Sequence, residues 1–335
     1  MNGAIKYSLA LILGAAGARL SSSASVSTPL GSNVSKAALV IGNADYDAAV
    51  ELKNPLNDAH DMCDALKGLG FQSSCYFDLK TRAQMRAAMQ DFAESLSSNT
   101  VSLIYYAGHA VQINGENYLI PTGAQLQTEG SVINESVSLA YLMNQLRSTT
   151  TYLNIVLLDA CRNNPLRAAA SYRPQGLAQV TDIPDSTVVV YATAANAQAL
   201  DGQGRNGVFT KSLLTHLHED GSINDLFDNV SNSVRQEAAA LGSQQQPALY
   251  KNFSGQYCLV KCTRLEELQA QRQESDRRKS ELEARIAQGD RDAKAQLALE
   301  QKRYQDLEVQ TKAEKAAADK KARQDQARSY LPPAL

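Results

Sequence analysis

The 335-residue sequence has no tryptophan, only five cysteines and four histidines, and no excess of positive charge. Lys and Arg total 33 against 35 Asp and Glu, a net charge of −2 with a pI near 6.1. A nucleic-acid-binding domain usually has a pI above about 9, so that class is set aside. The longest apolar run, residues 9–18, is far short of the roughly 18–20 residues that cross a bilayer, which excludes a multipass membrane protein. Five cysteines in so long a chain do not make a small disulfide-stapled scaffold. What the chain does have is apolar content, 44%, enough to bury a sizeable core. Its length suggests about two domains.

Glycine and proline are nearly missing from one end. Residues 264–335 contain one glycine, Gly289, and no proline before Pro332. The same 72 residues hold 30 of the 68 charges of the chain. Such a composition predicts a helical tail over 264–328 rather than a second core-forming domain. If fully helical, it would be roughly 100 Å long. Leu265, Leu268, Leu282 and Ile286 partly fit a heptad, but Arg272, Ser275 and Lys279 fall where a seam would be apolar. The tail therefore reads either as a charged spacer or as a weak coiled coil that self-associates or docks a partner.

At the other end, residues 1–8 carry one lysine, 9–18 are small and aliphatic, and 21–27 are serine-rich. This order resembles a secretory signal peptide and leader over 1–27, and predicts an exported, periplasmic or secreted chain. An uncleaved membrane tether is the alternative. Ala16-Gly17-Ala18 and Ser22-Ser23-Ala24 are the small-residue cleavage candidates. An odd number of cysteines leaves at least one unpaired within the chain. Cys63 and Cys75 could meet across a helix–strand contact. Cys258 and Cys262 would be about 13 Å apart in an extended strand, and a bridge needs less than about 7 Å, so they can pair only if the chain turns. Cys161 is left over.

Between the two ends, short apolar runs alternate with helical periodicities. Strands are predicted at 38–41, 71–77, 101–106, 154–158, 188–193 and 248–259, with a hairpin over 111–121 turning at Asn114-Gly115. Helices are predicted at 55–70, 81–96, 139–147, 208–218 and 223–240. Strands alternating with helices give an α/β fold, a mainly parallel six-stranded sheet with helices on both faces. Sites in such sheets lie beyond the carboxyl ends of strands. His109 and Cys161 each follow an apolar run, 52 residues apart. A cysteine nucleophile needs a neighbouring imidazole and backbone donors for the oxyanion.

A histidine at one strand, then an apolar strand entering Ala-Cys-Arg about 50 residues later, resembles the caspase arrangement. Tyr105-Tyr106-Ala107-Gly108-His109 and Leu157-Leu158-Asp159-Ala160-Cys161-Arg162 look like the bacterial members of that superfamily, the metacaspases or orthocaspases. Leu39-Val40-Ile41-Gly42-Asn43, Asn54-Pro55-Leu56-Asn57-Asp58-Ala59, Asn117-Tyr118-Leu119-Ile120-Pro121 and Val208-Phe209-Thr210 extend the likeness over residues 36–259. The resemblance implies a caspase-like peptidase domain over 36–262: a large-subunit-like part to about 163, a linker over 163–186, and a small-subunit-like part over 187–262. It implies Cys161 as nucleophile and His109 as general base and acid. The oxyanion hole would be the backbone N–H groups of Cys161 and of the residue after the histidine, here Ala110 where relatives usually have glycine.

Caspases cut after Asp, with an early arginine and a glutamine two before the cysteine. By the same alignment Leu52 stands at the arginine position and Asp159 at the glutamine position. One cation is missing and one anion gained, so the resemblance implies a pocket for Arg or Lys, with Asp201 as a second acid. In the family the linker is often self-cleaved. Arg167 is the better candidate than Arg173, which Pro174 follows. No cofactor is required from the sequence; metacaspases often need calcium, but no Asp-x-Asp loop compels a site here. His216 and His218, two apart near a helix end, do not share a face and are not read as metal ligands. The expected partners are protein or peptide substrates with basic residues, not nucleic acid. The competing reading is a catalytically silent caspase-like scaffold that acts through its tail.

Overall fold

The computed structural model describes residues 34–49, 51–161, 176–194, 199–200, 202–254 and 257–329. The leader 1–27 and most of the linker 163–186 lie outside the described residues.

The apolar runs form the sheet. β1 (Ser35–Gly42), β2 (Gln72–Phe77), β3 (Thr100–Ile113), β6 (Leu153–Cys161), β7 (Thr187–Tyr191) and β8 (Ala248–Asn252) line up in the order β2-β1-β3-β6-β7-β8. All neighbours are parallel except β7 and β8. β4 (Glu116–Leu119) and the short β5 (Val137–Ser138) form a side ladder on β3.

Alternation along the central strands sends side chains to two cores. Leu103, Tyr105 and Ala107 face α1 (Pro55–Gly68), α5 (Val208–His216) and α6 (Ile223–Ala240), meeting Met62, Leu66, Phe209, Phe227 and Val230. Ile104 and Tyr106 face α2 (Arg82–Glu94) and α4 (Leu139–Arg147), meeting Met85, Met89, Leu142 and Met143. Caps explain several helix starts. Thr81 and Gln84 form a capping box at α2, Ser222 and Asp225 one at α6, and Pro55 opens α1.

Several expectations are revised. His109 does not lie past a strand end: β3 runs on to Ile113, because after pairing with β1 and β6 it takes β4 as its partner. β6 likewise includes Cys161. The last strand stops at Asn252, and the chain then turns so that Cys258 and Cys262 are bonded with Cα atoms 5.3 Å apart. Cys63 and Cys75 are bonded too, tying α1 to β2. α3 (Glu129–Glu135) and β5 were not anticipated.

The tail is helical, but it is not one rod. α7 (Arg264–Ala287) and α8 (Ala293–Ser329) are separated by Gly289, whose φ is +93°. The pairings Arg285–Gln296 and Arg272–Tyr304 show the two helices running antiparallel. Two of the three polar seam residues are accommodated by one tyrosine: Arg272 donates to the Tyr304 hydroxyl at 3.2 Å, and the Lys279 ammonium lies 4.2 Å from the Tyr304 ring centroid, while Ser275 is simply buried. Among the described residues no helix is long and apolar enough to cross a membrane.

Candidate active site

β3 and β6 set the geometry. Residues 101–109 of β3 pair in register with 153–161 of β6, so His109 is the strand partner of Cys161. Neighbouring strands are about 4.8 Å apart, which brings together two residues 52 positions apart in the sequence.

The main chain at His109 is held by three hydrogen bonds. Its N–H donates to the Tyr46 hydroxyl at 2.7 Å, and its carbonyl accepts from the Tyr106 hydroxyl at 2.7 Å and from the Ile120 N–H at 3.1 Å. The imidazole is 2% exposed and packs on the Tyr46 ring, centroids 4.5 Å apart. Gly108 makes this close approach feasible. Its φ is +154°, and a Cβ there would fall 2.7 Å from the Tyr46 hydroxyl and 2.9 Å from that of Tyr106.

Ala110 pairs with Leu119 of β4. Because the Ile120 N–H donates to His109, this is a non-hydrogen-bonded pair of the ladder, and the Ala110 N–H faces away from β4, on the β6 side. Leu52 is a core residue in the cluster around Tyr46 and Val111.

One step along the sheet lies an acidic centre. Asp159, two residues before Cys161 and therefore at the same phase of β6, accepts a 2.6 Å hydrogen bond from Thr210 of α5. Thr210 in turn takes one at 2.5 Å from Tyr105, since its own proton goes to Asp159. Asp58, in the first turn of α1, is 3% exposed and accepts from the Gly207 N–H at 3.0 Å. A Cβ on Gly207 would lie 3.4 Å from one Asp58 oxygen and 3.6 Å from one of Asp159, so the two carboxylates flank the same glycine. Burial pushes the Asp58 carboxyl up to about 8, and the charge of Asp159 adds to the shift; Asn206 and Gly207 oppose it.

Asp58 was not a candidate from the sequence, although its position gave a signal. It sits on the apolar face of α1, three residues after Pro55 and four before Met62, both buried. An unpaired carboxylate on such a face is rare.

The loop before α5 is fastened over this centre. Arg205 holds Asp61 with two hydrogen bonds of 2.9 and 3.0 Å, and Asn206 adds a third to the same carboxylate. Asp201 and Arg167 lie outside the described residues, as does the Cys161 side chain. Leu200, next to Asp201, accepts from the Val208 N–H at 3.3 Å, so the segment passes beside Gly207.

Of the two histidines not read as metal ligands, His216 ends α5 with its ring between Glu219 and Ser233, and His218 lies beyond the helix. Among the described residues one set of metal-ligand types converges, Cys258, Cys262 and Glu266. Both sulfurs are bonded to each other, and Glu266 accepts from the Ser222 and Thr263 N–H groups. That set is a structural joint between α6 and α7.

Comparison with known proteins identifies the family and the fold. The human mucosa-associated lymphoid tissue lymphoma translocation protein 1 is 30% identical over 205 residues, 59% of this chain and 24% of that protein. A Dictyostelium discoideum paracaspase is 23% identical over 230 residues, 67% of this chain and 52% of that one. The chain thus aligns with about a quarter and about half of these relatives. Among solved structures, caspase-1 from Spodoptera frugiperda superposes with a TM-score of 0.50 at 16% identity, over 68% of this chain and 93% of that one, a likeness of fold. The sequence model of the caspase domain matches residues 35–257, the whole span from β1 to the turn after β8. The chain belongs to the caspase domain family.

Proposed function

We propose that this caspase-like domain is a cysteine endopeptidase that cleaves after Arg or Lys through Cys161 and His109. The observation that carries the reading is the pairing of His109 with Cys161 beside two carboxylates, Asp58 and Asp159. In the reaction, the Cys161 thiol gives its proton to the His109 imidazole and the sulfur adds to the scissile carbonyl. The oxyanion is received by the N–H groups of Ala110 and Cys161. The imidazolium then protonates the departing amine, leaving a thioester. Water, deprotonated by His109, hydrolyses the thioester and restores the thiol.

Specificity follows from charge. A buried acid pair without a cation is costly, and an arginine or lysine side chain of the substrate neutralises it. Asp201 would supply a further carboxylate from the loop beside Gly207. The two disulfides suit an oxidising compartment, in keeping with export of the chain.

The test uses purified protein with fluorogenic peptides ending in Arg, Lys, Asp or Leu. Hydrolysis of the Arg and Lys peptides, abolished by Cys161→Ala and by His109→Ala, is the expected result. Turnover in either variant near that of the unaltered chain would overturn the dyad. No hydrolysis of any peptide by the unaltered chain would favour the scaffold reading.

A further inference from the structure

α8 has two opposed stripes. One, Ala293, Leu297, Glu300, Tyr304, Leu307 and Thr311, follows a four–three spacing and is turned toward α7. The other, Ala295, Leu299, Lys302, Asp306, Val309 and Ala313, has the same spacing and is exposed throughout. Leu299 is 72% and Val309 69% exposed, the two most exposed large hydrophobic side chains among the described residues. A four–three spacing is the signature of a helix seam. Nothing within the described chain covers this one, and neither Lys302 nor Asp306 forms an ion pair there.

The second stripe is complementary to itself when reversed. If two copies of α8 cross antiparallel about a two-fold axis near Tyr304, Leu299 meets Val309 of the second copy and Lys302 meets Asp306. Ala295 then meets Ala313, and every pair occurs twice. Like charges do not oppose one another along the stripe, and the flanking Lys294 comes level with Glu314. A parallel arrangement would set Lys302 against Lys302 and Asp306 against Asp306. A two-fold interface requires this kind of self-complementarity, and in an antiparallel coiled coil opposite charges at facing positions fix the direction.

We propose that the outward stripe of α8 is a homodimer interface, on which a second copy of the chain docks its own α8 antiparallel. The sequence offered self-association and partner docking as open alternatives for the tail; charge and spacing favour a second copy.

Light scattering on the eluting full chain, at concentrations from micromolar to millimolar, tests this. A concentration-dependent dimer is expected. Leu299→Glu with Val309→Glu should raise its dissociation constant at least about tenfold, the scale of losing one buried aliphatic side chain. Lys302→Glu and Asp306→Lys should each weaken the dimer, and together restore it to within a few-fold of the unaltered chain. This combined variant keeps the net charge of the helix, so it decides the matter even if the apolar replacements disturb α8. A monomer throughout the range, a dimer indifferent to all four changes, or a failure of the combined variant to recover would overturn the proposal.

Discussion

Replacing Asp58 by asparagine would remove a buried charge while keeping an acceptor for the Gly207 N–H, and so would separate what this carboxylate does for stability from what it does for specificity. Its carboxyl ionises near 3.8 when exposed and near 8 in the fold, raised by burial first and by Asp159 second. Between those values the folded chain keeps a proton that the unfolded chain has released, so this group makes stability fall as pH rises from about 4 to about 8. Asp58→Asn should flatten that part of the stability curve, as followed by thermal melts across the range. Above about pH 8, where this carboxyl is ionised, the same change should lower kcat/KM on an Arg peptide about thirtyfold or more, the scale of removing one partner of a buried charge pair. A neutral citrulline peptide isolates the effect from the ionisation of the dyad. In the unaltered chain the Arg-to-citrulline ratio should rise as pH passes about 8, because ionised Asp58 then faces the cation. A ratio that is flat with pH, or unchanged in the variant, would remove Asp58 from the pocket.

The elements carry the site through register rather than through any one contact. β3 brings His109 level with Cys161 only because residues 107–110 stay extended while the strand changes partners, and Gly108 is the residue at that exchange. Gly108→Ala would introduce a Cβ into space already held by two tyrosine hydroxyls, in a backbone conformation that alanine rarely adopts. We expect kcat to fall at least about tenfold, with a melting temperature lowered by several degrees, on a scale of about 1–3 kcal/mol for such strain. Wild-type kcat would show that β3 adjusts without moving His109. This exchange of partners is also where the sequence was least legible. Buried strands announce themselves as apolar runs, and α4 and α6 have clear periodicity with serine N-caps, so their bounds could be read directly. The stretch Ala107-Gly108-His109-Ala110 has no such pattern, since its extension is imposed by neighbouring strands. Asp58 and Asp159 lie 101 residues apart and meet only through the packing of α1, β6 and α5. Arg272 and Lys279 spoil a heptad when α7 is read alone; with Tyr304 of the returning α8 they are partnered.

On the scale of the whole molecule, the site and the root of the tail lie toward opposite ends of the sheet. His109 and Cys161 lie toward the carboxyl ends of parallel strands, whereas the turn leading into α7 is fastened near the amino end of β1, where Lys36 donates to the Leu259 carbonyl at 2.8 Å. Glu266 fixes the start of α7 against Ser222 at the same pole. The chain's own linker, by contrast, starts at the site. That linker leaves β6 at the proposed nucleophile and is described again from Gly176, where Asn117 grips Ala178 by two hydrogen bonds of 2.7 and 2.8 Å. Beyond it, β7 pairs with β6 over five residues and with β8 on its other side. A cut within the linker would leave both ends of the break attached to one sheet, so the fragments should remain together without a covalent link. The pocket proposed here accepts arginine, and Arg167 is followed by Ala168, which has the N–H that Pro174 after Arg173 lacks. We expect incubated protein to yield two fragments divided between residues 167 and 168 that co-elute until denatured, the C-terminal one beginning at Ala168. Cys161→Ala should abolish the cut, and Arg167→Gln should move or prevent it. N-terminal sequencing that starts at Pro174 would refute the choice of bond, and an uncut chain with full peptidase activity would show that activity does not depend on processing.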